Sequence, residues 1–180
     1  SAITTSYMYR EGRIMDLQQF CAEDNPRINE PWSRGEHTFA TNGHILIRVP
    51  RITDIPDIDG APDAMRVWEK IPMPPGESAV IPDIPPAAWR VCQTCAEAEG
   101  GIIDPECDDC DGDGKFRDTA YTKVGEMSFN DEYLRMIKVL PGYKFYPAVW
   151  ESGIVNKGSN APPSVFTFDG GDGLLMPVNV

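Results

Sequence analysis

The chain has 180 residues and a net charge of −12, and 41% of its residues are hydrophobic. This length suits one well-buried core, or one domain with a small insert. No apolar run approaches the roughly 20 residues that a membrane-spanning helix needs. Residues 1–9 lack the basic and apolar segments of a signal peptide. We therefore expect a cytoplasmic protein without a membrane segment.

The negative charge is concentrated in one stretch of the chain. Residues 97–118 hold nine acidic side chains against Lys115 and Arg117, a net charge of −7. An acidic surface repels phosphates, so this stretch is a poor candidate for gripping nucleic acid and suits a protein partner better. The alternative is that the acids only keep an exposed loop soluble.

The first elements are predicted to be a strand and then a helix. Residues 6–14 mix aromatic, apolar and charged side chains and suit a short strand and turn. Apolar side chains then recur at helical spacing, so residues 15–23 are predicted as an amphipathic helix. These apolar side chains are Ile14, Leu17, Phe20 and Cys21. The position of Cys21 on the apolar stripe favours a buried structural thiol over a reactive one.

Residues 37–49 form a hairpin candidate. Two apolar-rich runs flank Asn42-Gly43, the dipeptide best suited to a two-residue turn with positive φ at both centres. His44 follows this turn, and on composition alone it is an ordinary histidine at the end of a strand. No cluster of histidines and carboxylates surrounds it in the sequence, so catalysis is not indicated.

Prolines dominate the next segment. Residues 50–86 hold nine of the 17 prolines in the chain. Such density excludes long helices and interrupts the hydrogen bonds between strands. Within this segment, residues 64–71 and 78–81 are predicted as short strands, and the remainder is predicted as loops.

Two CxxC pairs carry the strongest chemical signal in the sequence. Cys92 and Cys95 are followed, after eleven residues, by Cys107 and Cys110. Four thiolates at this spacing can surround one tetrahedral Zn²⁺ ion. The alternatives are two disulfides or four unrelated thiols, but the odd total of five Cys and the absence of an export signal favour the metal. We therefore predict one structural zinc ion in a module of residues 91–118.

After this module the chain returns to strands and a helix. Residues 120–129 are predicted as a strand, and Ser128 or Asn130 caps a helix that runs to about residue 140. Three further strands follow, and residues 170–172 form the turn between the last two. These strands are residues 143–150, 164–169 and 173–180.

The order of these elements is typical of an α+β fold. Two helices, each followed by antiparallel strands, predict one domain with approximate two-fold internal symmetry. The domain comprises residues 1–90 and 119–180, and the zinc module is inserted between these two parts. Because the module is acidic, contains glycine and has few large apolar residues, we expect it to unfold independently of the domain.

Three motifs resemble bacterial DNA polymerase sliding clamps. Residues 40–46, ATNGHIL, are similar to the ATDGHRL hairpin of that family. Residues 129–134 resemble its FN..YL helix start, and LMPV at residues 175–178 resembles its MPM-type terminus. The motifs follow the family's order along the chain. Separately, residues 107–114 match the CxxCxGxG unit of J-protein chaperones, which supports only the metal site.

Membership of the clamp family would imply a single sliding-clamp-like domain, two helices packed on antiparallel sheets, with a zinc-ribbon-like insertion. Clamps combine several such domains in a ring, so a ring of this chain would need about six copies, or none forms. The family directs basic helices toward DNA. Here the first predicted helix has no Lys or Arg, and the second has only Arg135 and Lys138. Encirclement of DNA is therefore disfavoured.

The family also binds partner peptides in an apolar cleft between this hairpin of one domain and the C-terminal strand of the next. The matching positions are Thr41, Gly43, His44, Leu46, Met176 and Pro177. Asn42 and Ile45 differ from the family's Asp and Arg. In one domain the two motifs would lie at opposite boundaries, so a complete cleft would form only where two copies meet head to tail. Without the resemblance, residues 174–180 are simply a terminal strand.

Two functions from different classes follow. The first is a non-enzymatic, clamp-like accessory of DNA replication that tethers replication proteins or peptides at DNA. The second is a zinc-knuckle adaptor or inhibitor of a host or phage replication complex, without direct DNA binding. An enzyme is disfavoured because four cysteines close the metal shell and the sequence offers no pair of nucleophile and base.

Overall fold

The structure, a computed structural model, describes residues 6–9, 13–71, 76–97, 103–148 and 162–178. Its strands are β1 (Ser6–Tyr9), β2 (Arg13–Asp16), β3 (Trp32–Arg34), β4 (His37–Thr41), β5 (Ile45–Pro50), β6 (Trp89–Val91), β7 (Lys115–Arg117), β8 (Tyr121–Val124), β9 (Met127–Asn130), β10 (Lys144–Tyr146), β11 (Ser164–Phe168) and β12 (Gly171–Leu175). Its helices are α1 (Ala64–Trp68), α2 (Gln93–Glu97) and α3 (Asp131–Lys138), with a 3-10 turn at Leu17–Phe20.

A six-stranded antiparallel sheet lies at the centre of the described part of the chain. Its strand order is β10-β11-β12-β5-β4-β3. Strands from the two halves of the sequence meet where β5 pairs with β12, with Leu46 opposite Leu174. Three hairpins, β1-β2, β6-β7 and β8-β9, form separate two-stranded sheets. The fold is therefore mixed, with a mostly antiparallel sheet and few helices, which agrees with the α+β class.

Both faces of the central sheet are covered by apolar side chains. Successive side chains of a strand point to opposite faces, so Ile45 and Ile47 of β5 enter one core while Leu46 packs against the other. The first core also holds Phe20, Phe129, Leu134, Ile137 and Phe166. The second core holds Trp32, Phe39, Trp68, Val165 and Leu174. Each core buries large side chains almost completely and fixes the register of the sheet.

The second predicted helix is confirmed as α3. The Asn130 side chain caps it by accepting a hydrogen bond of 2.8 Å from the backbone N–H of Glu132. Leu134 and Ile137 lie one turn apart and are fully buried. The helix ends ahead of Pro141 and Gly142, as the sequence predicts.

The predicted helix over residues 15–23 is wrong. Residues 13–16 instead form β2, which pairs with β1, and only the single 3-10 turn follows. Met15, Leu17 and Phe20 are nevertheless buried, as the apolar pattern indicates. The pairing of β2 with β1 holds residues 13–16 in an extended conformation, so they cannot form the first turn of the predicted helix and only a short piece of helix remains. Residues 10–12 of the strand and turn predicted at 6–14 lie outside the described residues.

The proline-rich segment also differs from its prediction. Residues 64–71 were predicted as a strand, but residues 64–68 are helix α1, with Asp63 as its N-cap. Ala64 and Trp68 are both buried at a spacing of four residues, which is a helical spacing that the apolar run concealed. Within the predicted strand at 78–81, the structure forms one isolated bridge, from Ala79 to Phe145.

Two predicted turns have different geometry in the structure. In the β4-β5 hairpin only Gly43 has positive φ, and the Asn42 side chain accepts hydrogen bonds from the backbone N–H groups of His44 and Ile45. This side-chain capping replaces the turn with two positive φ angles. In the last hairpin Phe168 pairs with Gly171, so the turn lies at residues 169–170. Residues 149–150 of the strand predicted at 143–150, and residues 179–180 of the strand predicted at 173–180, lie outside the described residues.

Candidate metal centre and partner surface

The hairpin β6-β7 brings the two CxxC pairs together. Cys92 directly follows β6, and Gly114 directly precedes β7, and the Cys92 N–H donates to the Gly114 carbonyl at 2.9 Å. Helix α2 then carries Cys95 back toward Cys92. The pairing of β6 with β7 thus holds the two ends of the module together and brings the two CxxC knuckles close to each other.

The second knuckle depends on two glycines. Gly112 has a φ of 81°, and a Cβ at this position would lie 2.6 Å from the Pro105 carbonyl oxygen. Gly114 has a φ of 68°, and a Cβ there would contact the Ile103 side chain at 2.6 Å. Only glycine tolerates both the left-handed backbone and the close approach. The Gly114 N–H is then free to donate to the Cys110 sulfur at 3.2 Å.

The four predicted ligands converge. Their sulfur atoms all lie within 4.8 Å of one another, and the four residues are between 1% and 6% exposed. Cys92 and Cys107 sulfurs are 3.9 Å apart, and those of Cys95 and Cys110 are 3.7 Å apart. Four sulfurs around a tetrahedral Zn²⁺, each at about 2.3 Å, would be separated by about 3.8 Å. The cysteines are free thiols, so their geometry fits a metal ion and not disulfides.

The surroundings shift the pKa values of Cys92 and Cys95 in opposite directions. The backbone N–H of Cys95 lowers the pKa of Cys92, because a hydrogen bond to the sulfur stabilises the thiolate. The backbone N–H of Asp104 acts in the same way on Cys95, but burial and the neighbouring sulfurs outweigh it and raise the pKa of Cys95 to about 12. Four adjacent thiolates therefore require a positive charge between them, which a divalent metal supplies.

The module joins the rest of the fold through a few polar contacts. Arg117 forms an ion pair of 2.8 Å with Glu132 in the first turn of α3. Directly after the module, the Ala120 carbonyl accepts a hydrogen bond from the Asp131 N–H at 3.0 Å. The cysteines form a cluster of their own, with only Phe116 packed against them. The metal centre is thus separate from both cores of the central sheet.

The predicted partner residues also meet, but within one chain. The Met176 N–H donates to the His44 carbonyl at 2.9 Å, and β12 pairs with β5 along the same edge. The expectation that the hairpin and the terminal strand lie at opposite boundaries of the domain is therefore wrong. The pairing of β5 with β12 joins the two halves of the six-stranded sheet, and sequence order alone does not reveal that pairing.

The partner positions differ in exposure. Thr41 is buried, and its hydroxyl donates to the Ile45 carbonyl at 2.6 Å, so it stabilises the hairpin. Leu46 packs against the second core, whereas Gly43 and His44 are exposed. Half-buried Met176 and Pro177 complete the set. Of the predicted residues that carry a side chain, His44 is the one that is exposed, and the others are buried or half-buried.

Tyr133 of α3 belongs to this surface, although it was not among the predicted partner residues. Its ring stacks on His44 with centroids 6.0 Å apart, and its hydroxyl accepts a hydrogen bond of 3.2 Å from the Asn42 amide. Burial raises the pKa of Tyr133, so the phenol stays neutral. The FN..YL motif contains this residue, but its contact with the hairpin is set by tertiary packing.

The basic side chains of α3 have partners within the chain. Arg135 donates to the Pro85 carbonyl at 2.6 Å, and Lys138 contacts the Asp83 carboxylate and the Pro82 carbonyl, each at 3.0 Å. Ile81 is buried in the first core and anchors the same segment. The proline-rich segment therefore packs against the two basic side chains of α3.

Comparison with models of known protein families, with curated proteins and with solved structures gives no significant match. Within the described residues, the structure has no helix with the length and apolar character that crossing a membrane requires. The four-cysteine cluster can hold a metal ion, which supports the predicted metal-binding character without identifying the metal.

Proposed function

We propose that this chain is a non-enzymatic adaptor of a DNA replication complex, in which one structural zinc ion holds an acidic module that contacts protein and not DNA. The convergence of four buried sulfurs within 4.8 Å carries this proposal. A closed shell of four cysteines leaves no coordination position for a reactive water, so the metal stabilises the module and does not catalyse. Four metal-bound thiolates also call for a reducing compartment, which fits the cytoplasm.

The acidic surface supports a protein partner. Residues 103–113 carry six exposed acidic side chains around the metal centre: Asp104, Glu106, Asp108, Asp109, Asp111 and Asp113. The DNA backbone would be repelled by this negative charge. The side chains of Arg135 and Lys138 are already hydrogen-bonded to the proline-rich segment. Affinity for DNA depends on cations that neutralise phosphates. The two cations of α3 are therefore not free to neutralise phosphates.

The replication setting comes from the resemblance to sliding clamps. The motifs behind that resemblance form one surface, since the hairpin contacts both Tyr133 of α3 and the terminal strand at Met176. This juxtaposition favours a second candidate, a clamp-like accessory that binds partner peptides beside His44. Such a surface is complete in one copy, so peptide binding would not depend on self-association.

Fluorescence anisotropy with a labelled DNA duplex separates the two candidates. The adaptor predicts no measurable affinity at low salt and no salt dependence, with about one zinc ion per chain by metal analysis. A clamp-like accessory that contacts DNA predicts an affinity that falls with salt, with a slope of about −0.9 per phosphate neutralised. That slope, or a chain without metal, would contradict the adaptor.

A clamp-binding peptide provides the complementary measurement. Binding that weakens in the His44→Ala variant, in a chain that light scattering shows to be monomeric, would favour the second candidate. The Lys123→Ala variant is a matched control, because Lys123 is exposed on β8 and lies outside the hairpin. Equal binding by both variants would exclude the His44 surface.

A further inference from the structure

The metal hairpin β6-β7 has one face whose apolar side chains, Trp89 and Val91, are exposed. Trp89 lies opposite Arg117 and Val91 lies opposite Lys115, so these four side chains share one face, which we call the hairpin face. Phe116 projects to the other side, where it packs against the cysteines. The cysteine cluster therefore lies on the opposite side of the hairpin, and Trp89, Val91 and Lys115 of the hairpin face are exposed.

The hairpin face exposes two large apolar side chains next to each other. Trp89 is 56% exposed and Val91 is 70% exposed, whereas Trp32 and Trp68 are at most 5% exposed. A lone exposed apolar side chain is ordinary, but an aromatic and an aliphatic side chain side by side are typical of a binding site. Tryptophan is also enriched among the residues that dominate binding energy at protein interfaces.

The charges on the hairpin face oppose those of the surrounding module. Lys115 places its ammonium 4.6 Å from the centre of the Trp89 ring, and within the described residues it has no carboxylate partner. Arg117 is half-exposed and bonds Glu132 through one nitrogen, which leaves further donors of its guanidinium available. These two cations lie beside the apolar pair, on the neighbouring strand, and favour a ligand with carboxylates beside an apolar group.

An acidic peptide fits this charge pattern better than a nucleic acid does. Aromatic and basic side chains together also suit single-stranded DNA. A phosphate backbone, however, carries a charge at every nucleotide and would bring several of them to the acidic knuckles next to Val91 and Lys115. A peptide can place one or two carboxylates on Lys115 and Arg117 alone.

The strand edges of the hairpin supply a backbone contact. Strands β6 and β7 pair only with each other in the described residues, so each has one edge with unpaired N–H and C=O groups. An extended peptide can add to such an edge and place alternate side chains on one face.

We propose that the hairpin face binds an extended protein segment in which an apolar side chain lies between acidic ones. The apolar side chain packs on Trp89 and Val91, and the flanking carboxylates pair with Lys115 and Arg117. This inference rests on the proposed adaptor function, because it assigns a partner chemistry to the same zinc module.

Isothermal titration calorimetry on the zinc-loaded full chain tests the hairpin face. The probe is a synthetic peptide of about ten residues with Asp-Ser-Leu-Ser-Asp at its centre, which places one leucine between two aspartates on the same face of an extended chain. The intact chain should bind it, and Trp89→Ala or Lys115→Glu should each weaken binding at least about tenfold. Val80→Ala and Lys123→Glu are the matched controls, since both side chains are exposed outside the module, and they should bind as the intact chain does.

Several results would overturn the hairpin face. One is the absence of peptide binding, and another is equal binding by the Trp89→Ala and Lys115→Glu variants. Tighter binding of an oligothymidine of about ten nucleotides would assign the face to nucleic acid. Self-association that these variants abolish would assign it to a second copy of the chain. Zinc content is measured on the intact chain and on every variant. Absence of zinc from the intact chain would count against the adaptor function and not against the choice of peptide.

Discussion

Gly112 offers the most direct single-residue test of the metal module. Its φ of 81° costs a residue with a side chain about 1–2 kcal/mol. A Cβ 2.6 Å from the Pro105 carbonyl oxygen adds the cost of overpacking, about 1–3 kcal/mol, because a backbone atom cannot move aside cheaply. The Gly112→Ala variant should therefore destabilise the folded module by about 2–5 kcal/mol.

This loss should appear as reduced zinc affinity, because the site exists only when the module is folded. At about 1.4 kcal/mol for each factor of ten, we expect zinc binding to weaken roughly 30- to 4000-fold. Competition with a chromogenic chelator measures the affinity. Gly60→Ala is the matched control, because Gly60 also has positive φ, at 84°, but no atom lies within 4 Å of its Cβ position. Unchanged affinity in Gly112→Ala, or an equal loss in Gly60→Ala, would refute the reasoning.

Three further predictions concern the thiols, the independence of the module and the partner surface. In zinc-loaded protein a thiol reagent should modify none of the five cysteines rapidly, and after chelation of the zinc it should modify four. Cys21 should react only on denaturation, since burial raises its pKa to about 12. Earlier reaction of Cys21 would contradict this prediction. Replacing residues 92–114 by a Gly/Ser linker should leave the main urea transition in place, and its loss would show that the module is not independent. Tyr133→Phe should lower the free energy of unfolding by about 0.5–1.5 kcal/mol through the lost Asn42 bond, which an unchanged urea midpoint would rule out.

The metal centre could be predicted from the sequence because its determinants are local. Each CxxC pair lies in one turn, and the glycines that permit the second turn stand within four residues of Cys110. Helix α3 was predictable for the same reason, since Asn130 caps it and buried apolar residues follow at helical spacing. In both cases residues close in sequence fix the structure.

The errors concern contacts between distant residues. Residues 13–16 become a strand because residues 6–9 pair with them, which the helical pattern of Leu17 and Phe20 does not reveal. The pairing of β5 with β12 joins residues more than 120 positions apart and places Met176 beside His44. Sheet order of this kind depends on which strands compete for an edge, and a single sequence carries no direct record of it.

Helix α3 connects the two candidate surfaces. Glu132 pairs with Arg117 of the metal hairpin, and the next residue, Tyr133, contacts the β4-β5 hairpin through Asn42 and His44. Leu134 and Ile137 are fully buried, so the helix is held firmly against the first core. A partner at the hairpin face and a partner beside His44 would therefore be held at a fixed spacing by one short, well-packed element. Two candidate surfaces joined in this way would suit the proposed adaptor, and neither would require the chain to encircle DNA.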